Sequence, residues 1–266
     1  MKACDQMGLR YDVQHSTRNI VTVYSGGEAH LFTNWATPLN PQSVMKLCQD
    51  KDYFITYFED VVKMPKTAAF LNPYSDEKYA EFLDANSIGG IIDVVERDFG
   101  YPVIVKKNRG SWGTNVFKAE TARQLEHALL AVYDKKNIFG DYIALVQEAI
   151  PIEKEYRIVY LNGRFQFAYH KDTANAVYTG NLSPLHWEGA ESKLVTDAAE
   201  QDALIAFCQP LFDKLMIPFC GLDVAVNAGG QHWMIEGNSS PGFDRFIKDE
   251  GDEMVVKFYK TMLTNL

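Results

Sequence analysis

A glutamate and an asparagine two positions apart close an apolar run in "MIEGNSSPG", residues 234–242. On a β-strand, residues i and i+2 share a face, so Glu236 and Asn238 would set two oxygen donors side by side. Hard oxygen ligands in that layout make half of a magnesium site. The same residues also suit a solvated strand end running into a turn. Just upstream, "GLDVAV" and "QHWMIE" are β-rich runs around the turn "NAGG". If that turn closes symmetrically, Val226 faces Gln231 and Asp223 faces Met234, which puts Asp223 on the face of Glu236 and Asn238. A one-residue slip would turn it to the opposite face.

A polyanion site would give such a cluster its purpose, and "YPVIVKKNRGSWG" offers one. Lys106 closes a strongly apolar strand, where its ammonium can project into a cleft as a point charge for phosphate oxygens. The loop after it carries Gly110 and Gly113, whose backbone amides could wrap those oxygens, and Ser111, which adds a hydroxyl. Neither a Walker A motif nor the dinucleotide-binding fingerprint is present. An ordinary hairpin with a mobile tip is the plainer reading. In "ALVQEAI", a strand ending at Gln147 and Glu148 could read an adenine edge with its backbone. Glu155 would then accept from ribose hydroxyls, with Arg157 a cation on the same face; the alternative is a strand leaving the core among solvated polar residues.

These residues need elements to hold them, and the chain is long enough to supply them. Its 266 residues can bury one sizeable core or two packed subdomains. The four cysteines fall at wide spacings and read as buried thiols in a reducing compartment. No run approaches a membrane span and no signal-peptide core opens the chain, so a soluble, cytoplasmic protein is expected. A net charge of −9 argues against broad nucleic-acid binding, although a local basic groove could still hold a triphosphate.

Residues 18–33 read as a hairpin turning at Gly26-Gly27, and residues 43–62 carry helical spacing ended by Pro65. One or two amphipathic helices are expected over 74–99, then strands at 101–107 and 115–118. Thr121 and Gln124 form a capping box for the next helix. Asn162-Gly163 joins two strands, Pro210 should kink or divide the helix around 196–215, and a helix ends the chain. Hairpins mixed with helices point to an α+β chain of antiparallel or mixed sheets.

In this order the stretches resemble the ATP-grasp carboxylate–amine ligases, in the branch of ribosomal-protein glutamate ligases, cyanophycin synthetases and bifunctional glutathione synthetases. The resemblance runs from about Pro38 to the C-terminus. It implies an ATP-grasp fold with a short N-terminal segment (1–48), one lobe at 49–146 and another at 147–266. In its terms Lys51, in "DK", and Lys106 contact nucleotide phosphates, under a loop from Asn108 to Gly113 that includes Gly110 and Ser111. The segment "LVQEAI" (Gln147, Glu148, Ile150) holds adenine, Glu155 the ribose, and Arg157 the phosphate side. Asp223, Glu236 and Asn238 would hold one or two Mg²⁺, with Mn²⁺ a possible substitute.

The family often has an arginine after its "F-x-F-A" strand to steady an acyl phosphate. Here His170-Lys171 stands there, so that role passes to Lys171, with Asn181 in "YTGNLSP" as a neutral donor or simply a loop asparagine bonded to its own backbone. Ser239, Ser240 and Gly242 would receive a substrate carboxylate, or merely form a tight exit from the sheet. The family's N-terminal domain is much reduced: the hairpin at 18–33 replaces part of it, a partner or second copy completes the pocket, or the chain is a fragment. The implied reaction joins a carboxylate to an amine through an acyl phosphate, on an amino acid, dicarboxylate or peptide, with release of ADP. An ATP-binding regulator without turnover and a scaffold protein are the other readings.

Overall fold

The strand after Tyr101 alternates its side chains between two environments, and that alternation organises half the chain. The protein is described here from a computed structural model, which covers residues 1–266 apart from Ser111, Trp112, Tyr178, Asn181 and residues 183–186. The expected roles of Ser111 and Asn181 therefore fall outside the described residues.

The chain begins with α1 (Lys2–Met7) and a small sheet of β1 (Tyr11–Val13), β2 (Ile20–Ser25) and β3 (Glu28–Thr33). The expected hairpin is present, with a third short strand on its edge. Next come α2 (Gln42–Gln49) and α3 (Lys51–Phe58), where helical spacing alone had suggested one continuous helix. Asp50 makes the break: its backbone is extended, and its carboxylate caps α3 by accepting from Tyr53 N at 3.1 Å.

A four-stranded sheet follows, built from β4 (Thr67–Leu71), β5 (Val103–Lys107), β6 (Val116–Ala119) and β7 (Ile143–Glu148) in the order β4-β7-β5-β6. Its helices are α4 (Ile88–Asp98) and α5 (Ala122–Tyr133). The stretch before α4 is only a 3-10 turn, Glu77–Phe82, with no buried residue to anchor a longer helix. Thr121 caps α5 as expected, accepting from Gln124 N while Gln124 Oε1 accepts from Glu120 N. Val103, Val105, Ala144 and Val146 enter one core with Ile91, Leu125 and Leu129, whereas Lys106 and Gln147 lie on the opposite face.

The second large sheet runs β10-β9-β8-β11-β12, with β8 (Lys154–Leu161), β9 (Arg164–Asp172), β10 (Glu191–Leu194), β11 (Phe219–Val226) and β12 (His232–Asn238). Every strand pair among the described residues is antiparallel. The β8–β9 turn is the expected Asn162-Gly163, both at positive φ, 49° and 69°. Helix α6 (Ala198–Lys214) runs through Pro210 without dividing. It packs with α2 and α3 on the sheet face formed by Tyr156, Ile158, Leu222, Val224 and Met234. Helices α7 (Asp244–Glu250) and α8 (Glu253–Thr264) cover one end of the other face, over Val159, Phe167, Tyr169 and Phe219. The uncovered end of that face carries the charges.

The expected "NAGG" register is corrected. Val226 pairs with His232, not Gln231, and Asp223 pairs with Glu236, not Met234. A bulge at Ile235 absorbs the slip, so Met234 turns into the core while Glu236 turns with Asp223 to the other face. Without it, one of the two would be on the wrong side.

Helix α3 approaches β12 closely: a Cβ at Gly237 would sit 2.4 Å from the Phe54 ring. Gly237→Ala should therefore destabilise the fold by about 2 kcal/mol, within the ordinary cost of overpacking. Urea unfolding measures this; a change below about 0.5 kcal/mol would mean that the Phe54 ring is free to move aside.

Candidate active site

The charged end of the five-stranded sheet faces Lys106 on the four-stranded one. Strand pairing puts Arg157 opposite Asp223, and Asp223 opposite Glu236, so three neighbouring strands aim their side chains at one place. Arg157 binds Asp223 through both forks of its guanidinium, Nε to Oδ1 and Nη2 to Oδ2, the latter at 2.8 Å. Gly221 makes room for this, since a Cβ there would lie 2.8 Å from Arg157 Cδ. Burial opposes the charge on Arg157, but Asp223 outweighs it and holds the guanidinium pKa above its ordinary value.

Glu236 lies among cations. Lys51 Nζ is 3.5 Å from its Oε2, and Asn238 donates to its Oε1 at 3.2 Å. Burial pushes the Glu236 carboxyl up, but Lys51, Lys106, Arg157 and the Asn238 amide together hold it down at about 2. Lys171 pairs with Glu155. Burial pushes Glu155 up against the pull of Lys171, with Asp223 and Glu236 adding to the rise. Lys171 is raised because Glu155 and Asp223 outweigh its own burial.

Lys106 differs from these cations. It is 6% exposed, and among the described residues its ammonium has one hydrogen-bond partner, the neutral Gln147 Oε1 at 3.2 Å. Burial, reinforced by the charge of Lys51, brings it down to about 8 against the pull of Glu236 and Glu155.

The glycine loop starts beside these groups. Lys51 Nζ donates to Gly110 O at 2.7 Å, Asp52 N to Asn108 Oδ1 at 2.9 Å, and Arg109 Nη2 to Asp50 Oδ2 at 3.1 Å. Gly110 has φ of 152° and Gly113 of 65°, conformations that favour glycine, and the end of the Lys107 side chain lies against Gly110. At the edge of β7, Glu148 is already occupied: its N–H donates to Lys66 O and its carboxylate accepts from Lys66 N. The next donor on that side of the strand, the amide of Ile150, has no partner among the described residues.

Sequence reasoning missed Asn40. Its Nδ2 donates to Phe219 O at 2.7 Å and Ser239 O at 2.9 Å, and its Oδ1 accepts from Phe219 N at 2.9 Å. It thereby joins the start of β11 to the turn after β12. Ser239 is buried and Ser240 half-buried, while Trp35 lies over Gly242, its Nε1 3.2 Å from where a Cβ would stand. The signal in the sequence was faint: an asparagine before a proline reads only as a turn.

Among the described residues no three His, Cys, Asp or Glu side chains cluster tightly enough to hold a metal ion. A divalent cation here would draw on the Asn238 amide oxygen beside the carboxylates of Asp223 and Glu236. That oxygen is available, because Asn238 turns its Nδ2 to Glu236. An ionised Glu236, the Asn238 oxygen and the Asp223 carboxylate are a hard-oxygen set that suits Mg²⁺, with Arg157 sharing Asp223.

Two antiparallel sheets facing each other across such a cleft define the ATP-grasp class of fold. The chain is similar in structure to the VanG D-Ala:D-Ser ligase from Enterococcus faecalis, at 17% identity and TM-score 0.59, covering 86% of this chain and 62% of that one. It is also similar to a D-alanine–D-alanine ligase from Bacillus anthracis complexed with ATP, at 14% identity and TM-score 0.56, covering 86% of this chain and 66% of that one. The RimK-like ATP-grasp domain matches residues 80–262, and the chain belongs to that family. A curated relative, the "Probable alpha-L-glutamate ligase" from Psychromonas ingrahamii, is 26% identical over 186 residues, 68% of this chain and 57% of that protein. The chain therefore spans 57% of the length of that relative. No helix among the described residues is long and apolar enough to cross a membrane.

The depressed Glu236 carboxyl links this site to stability. A group whose folded pKa lies below its unfolded value stabilises the fold above the unfolded value and loses that contribution as pH falls through the folded one. Glu236 should thus contribute on the order of 3 kcal/mol above pH about 4.5, lost by about pH 2. Glu236→Gln should be less stable than wild type at pH 7 and converge with it in strong acid. Denaturant titrations across that range test this; a constant gap would show that Glu236 stays unpaired.

Proposed function

We propose that the chain is an ATP-dependent carboxylate–amine ligase acting on an amino acid or peptide. The observation that carries this reading is Lys106, a buried ammonium with a single neutral partner among the described residues. Burying a cation without an anion is costly, so such a group points to an anionic ligand. Its surroundings agree: Lys51, Lys106, Arg157 and Lys171 are four cations against the three acids Glu155, Asp223 and Glu236, a surplus of one positive charge in a chain of net charge −9.

Lys106 and Lys51 hold phosphate oxygens, with Lys51 exchanging Glu236 and Gly110 O for them. The free amide of Ile150 reads the adenine edge, and Glu155 receives the ribose. Asp223, Glu236 and Asn238 hold one or two Mg²⁺. Arg157 and Lys171 neutralise charge on the transferring phosphoryl group, which needs fixed electrostatics more than it needs a protein nucleophile. The turn of Ser239, Ser240 and Gly242 receives the substrate carboxylate. Bound ATP with Mg²⁺ supplies the phosphoryl group that makes this carboxylate an acyl phosphate; an amine then displaces phosphate to form the amide. The similarity to a probable alpha-L-glutamate ligase supports glutamate as the first amine to test.

A screen for ADP release over amino acids, short peptides and dicarboxylates, with products identified by mass, tests the reading. Glu236→Gln and Lys106→Met should each lower turnover at least about tenfold, or roughly 1.4 kcal/mol of transition-state stabilisation. The exposed Glu191→Gln should change little. Amine-independent ATP binding with no product would leave a nucleotide-binding regulator, and wild-type turnover in Glu236→Gln would remove the assigned metal role.

A further inference from the structure

We propose that Gln147 is a positioning residue, whose side-chain amide, oriented by the Thr67 hydroxyl, holds the Lys106 ammonium in aim at a phosphate oxygen in the cleft. This rests on the nucleotide reading above and adds to it two residues that act through Lys106.

The three side chains form a chain across three strands. Thr67 on β4 pairs directly with Gln147 on β7, and Gln147 pairs with Ile104 on β5, two residues before Lys106. Side chains two apart share a face, so all three lie on the cleft side of the sheet. Thr67 Oγ1 donates its one proton to Pro65 O at 2.9 Å. It can therefore meet Gln147 only as an acceptor, and it takes a hydrogen bond from Gln147 Nε2 at 2.8 Å. That sets the amide's sense: Nε2 faces the hydroxyl and Oε1 faces Lys106 Nζ at 3.2 Å. The opposite sense would put two amide protons against an ammonium. Gln147 is 5% exposed, so water does not compete for the contact.

The ammonium has three donors and the amide takes one. The other two have no partner among the described residues. A flexible lysine fixed at one donor loses rotamer freedom before any ligand arrives, and less remains to be lost on binding. Gln147 is thus an aiming device whose setting is fixed by a hydroxyl on the next strand of the sheet.

Calorimetric titration of the full chain with ATP and Mg²⁺ tests this with paired variants. Thr67→Val keeps the shape and removes the hydroxyl; Thr67→Ser keeps the hydroxyl and loses a methyl. Positioning predicts that Val weakens ATP binding about threefold or more while Ser stays within about twofold, whereas a packing role predicts the reverse. Gln147→Leu should weaken ATP binding about tenfold in the wild-type background and less than about twofold in a Lys106→Met background, because the two residues act as one unit. Equal effects of Val and Ser, or an undiminished Gln147→Leu penalty without Lys106, overturn the positioning role while leaving the nucleotide site intact. Failure of the wild-type chain to bind ATP overturns the site and this role together.

Discussion

Ionised groups taken out of water must be balanced on the spot, and for the acids of this cleft that requirement is met by backbone geometry before any side chain is considered. Arg157, Asp223 and Glu236 meet because β8, β11 and β12 are paired so that these residues stand opposite one another. Pairing alone would not suffice: Met234 belongs to the apolar core and Glu236, two residues later, to the charged face. The extra residue at Ile235 reconciles the two demands. Gly221 and Gly237 serve the same end from the other side, one clearing a path for the Arg157 side chain and the other letting α3 close enough to bring Lys51 to Glu236.

The same balance explains why helix α3 serves both sheets. Phe54 and Phe58 anchor it in the core of the five-stranded sheet. Its first turn, however, is hydrogen-bonded to Asn108, and its capping Asp50 to Arg109, both on the far side of the cleft. Lys51 therefore stands between the acidic strand end and the glycine loop. Asn40 does comparable work at the other end, tying the N-terminal segment to the turn of Ser239.

What could be read from the residues was whatever local chemistry decides. The Asn162-Gly163 turn and the Thr121 cap are each fixed within a few residues, and each appears as expected. The grouping of Lys106 with Asp223, Glu236 and Asn238 was legible only as an order of stretches, since no single one compels it. The bulge at Ile235 was illegible because nothing local marks it; it exists to satisfy a core on one face and charges on the other. The division of α2 from α3 rests on the local cap that Asp50 provides, which helical spacing alone does not reveal, and the Lys171–Glu155 pair depends on strands folded across their turn. Of the two outcomes expected at Pro210, division does not occur: α6 is continuous through the proline and packs against the core of the five-stranded sheet.

The sheet of β4 to β7 enters and leaves side by side, since its first strand pairs with its last, Thr67 against Gln147. It is in effect an inserted unit, flanked on both sides by chain that belongs to the other core. Synthesis from the N-terminus therefore makes α2 and α3 first but leaves Phe54 and Phe58 with nothing to pack on until β8, β11 and β12 have emerged. The inserted sheet meanwhile has all four strands in hand as soon as Glu148 is made. The early helices thus precede the strands they pack on, whereas the inserted sheet carries all of its own partners within one stretch of chain.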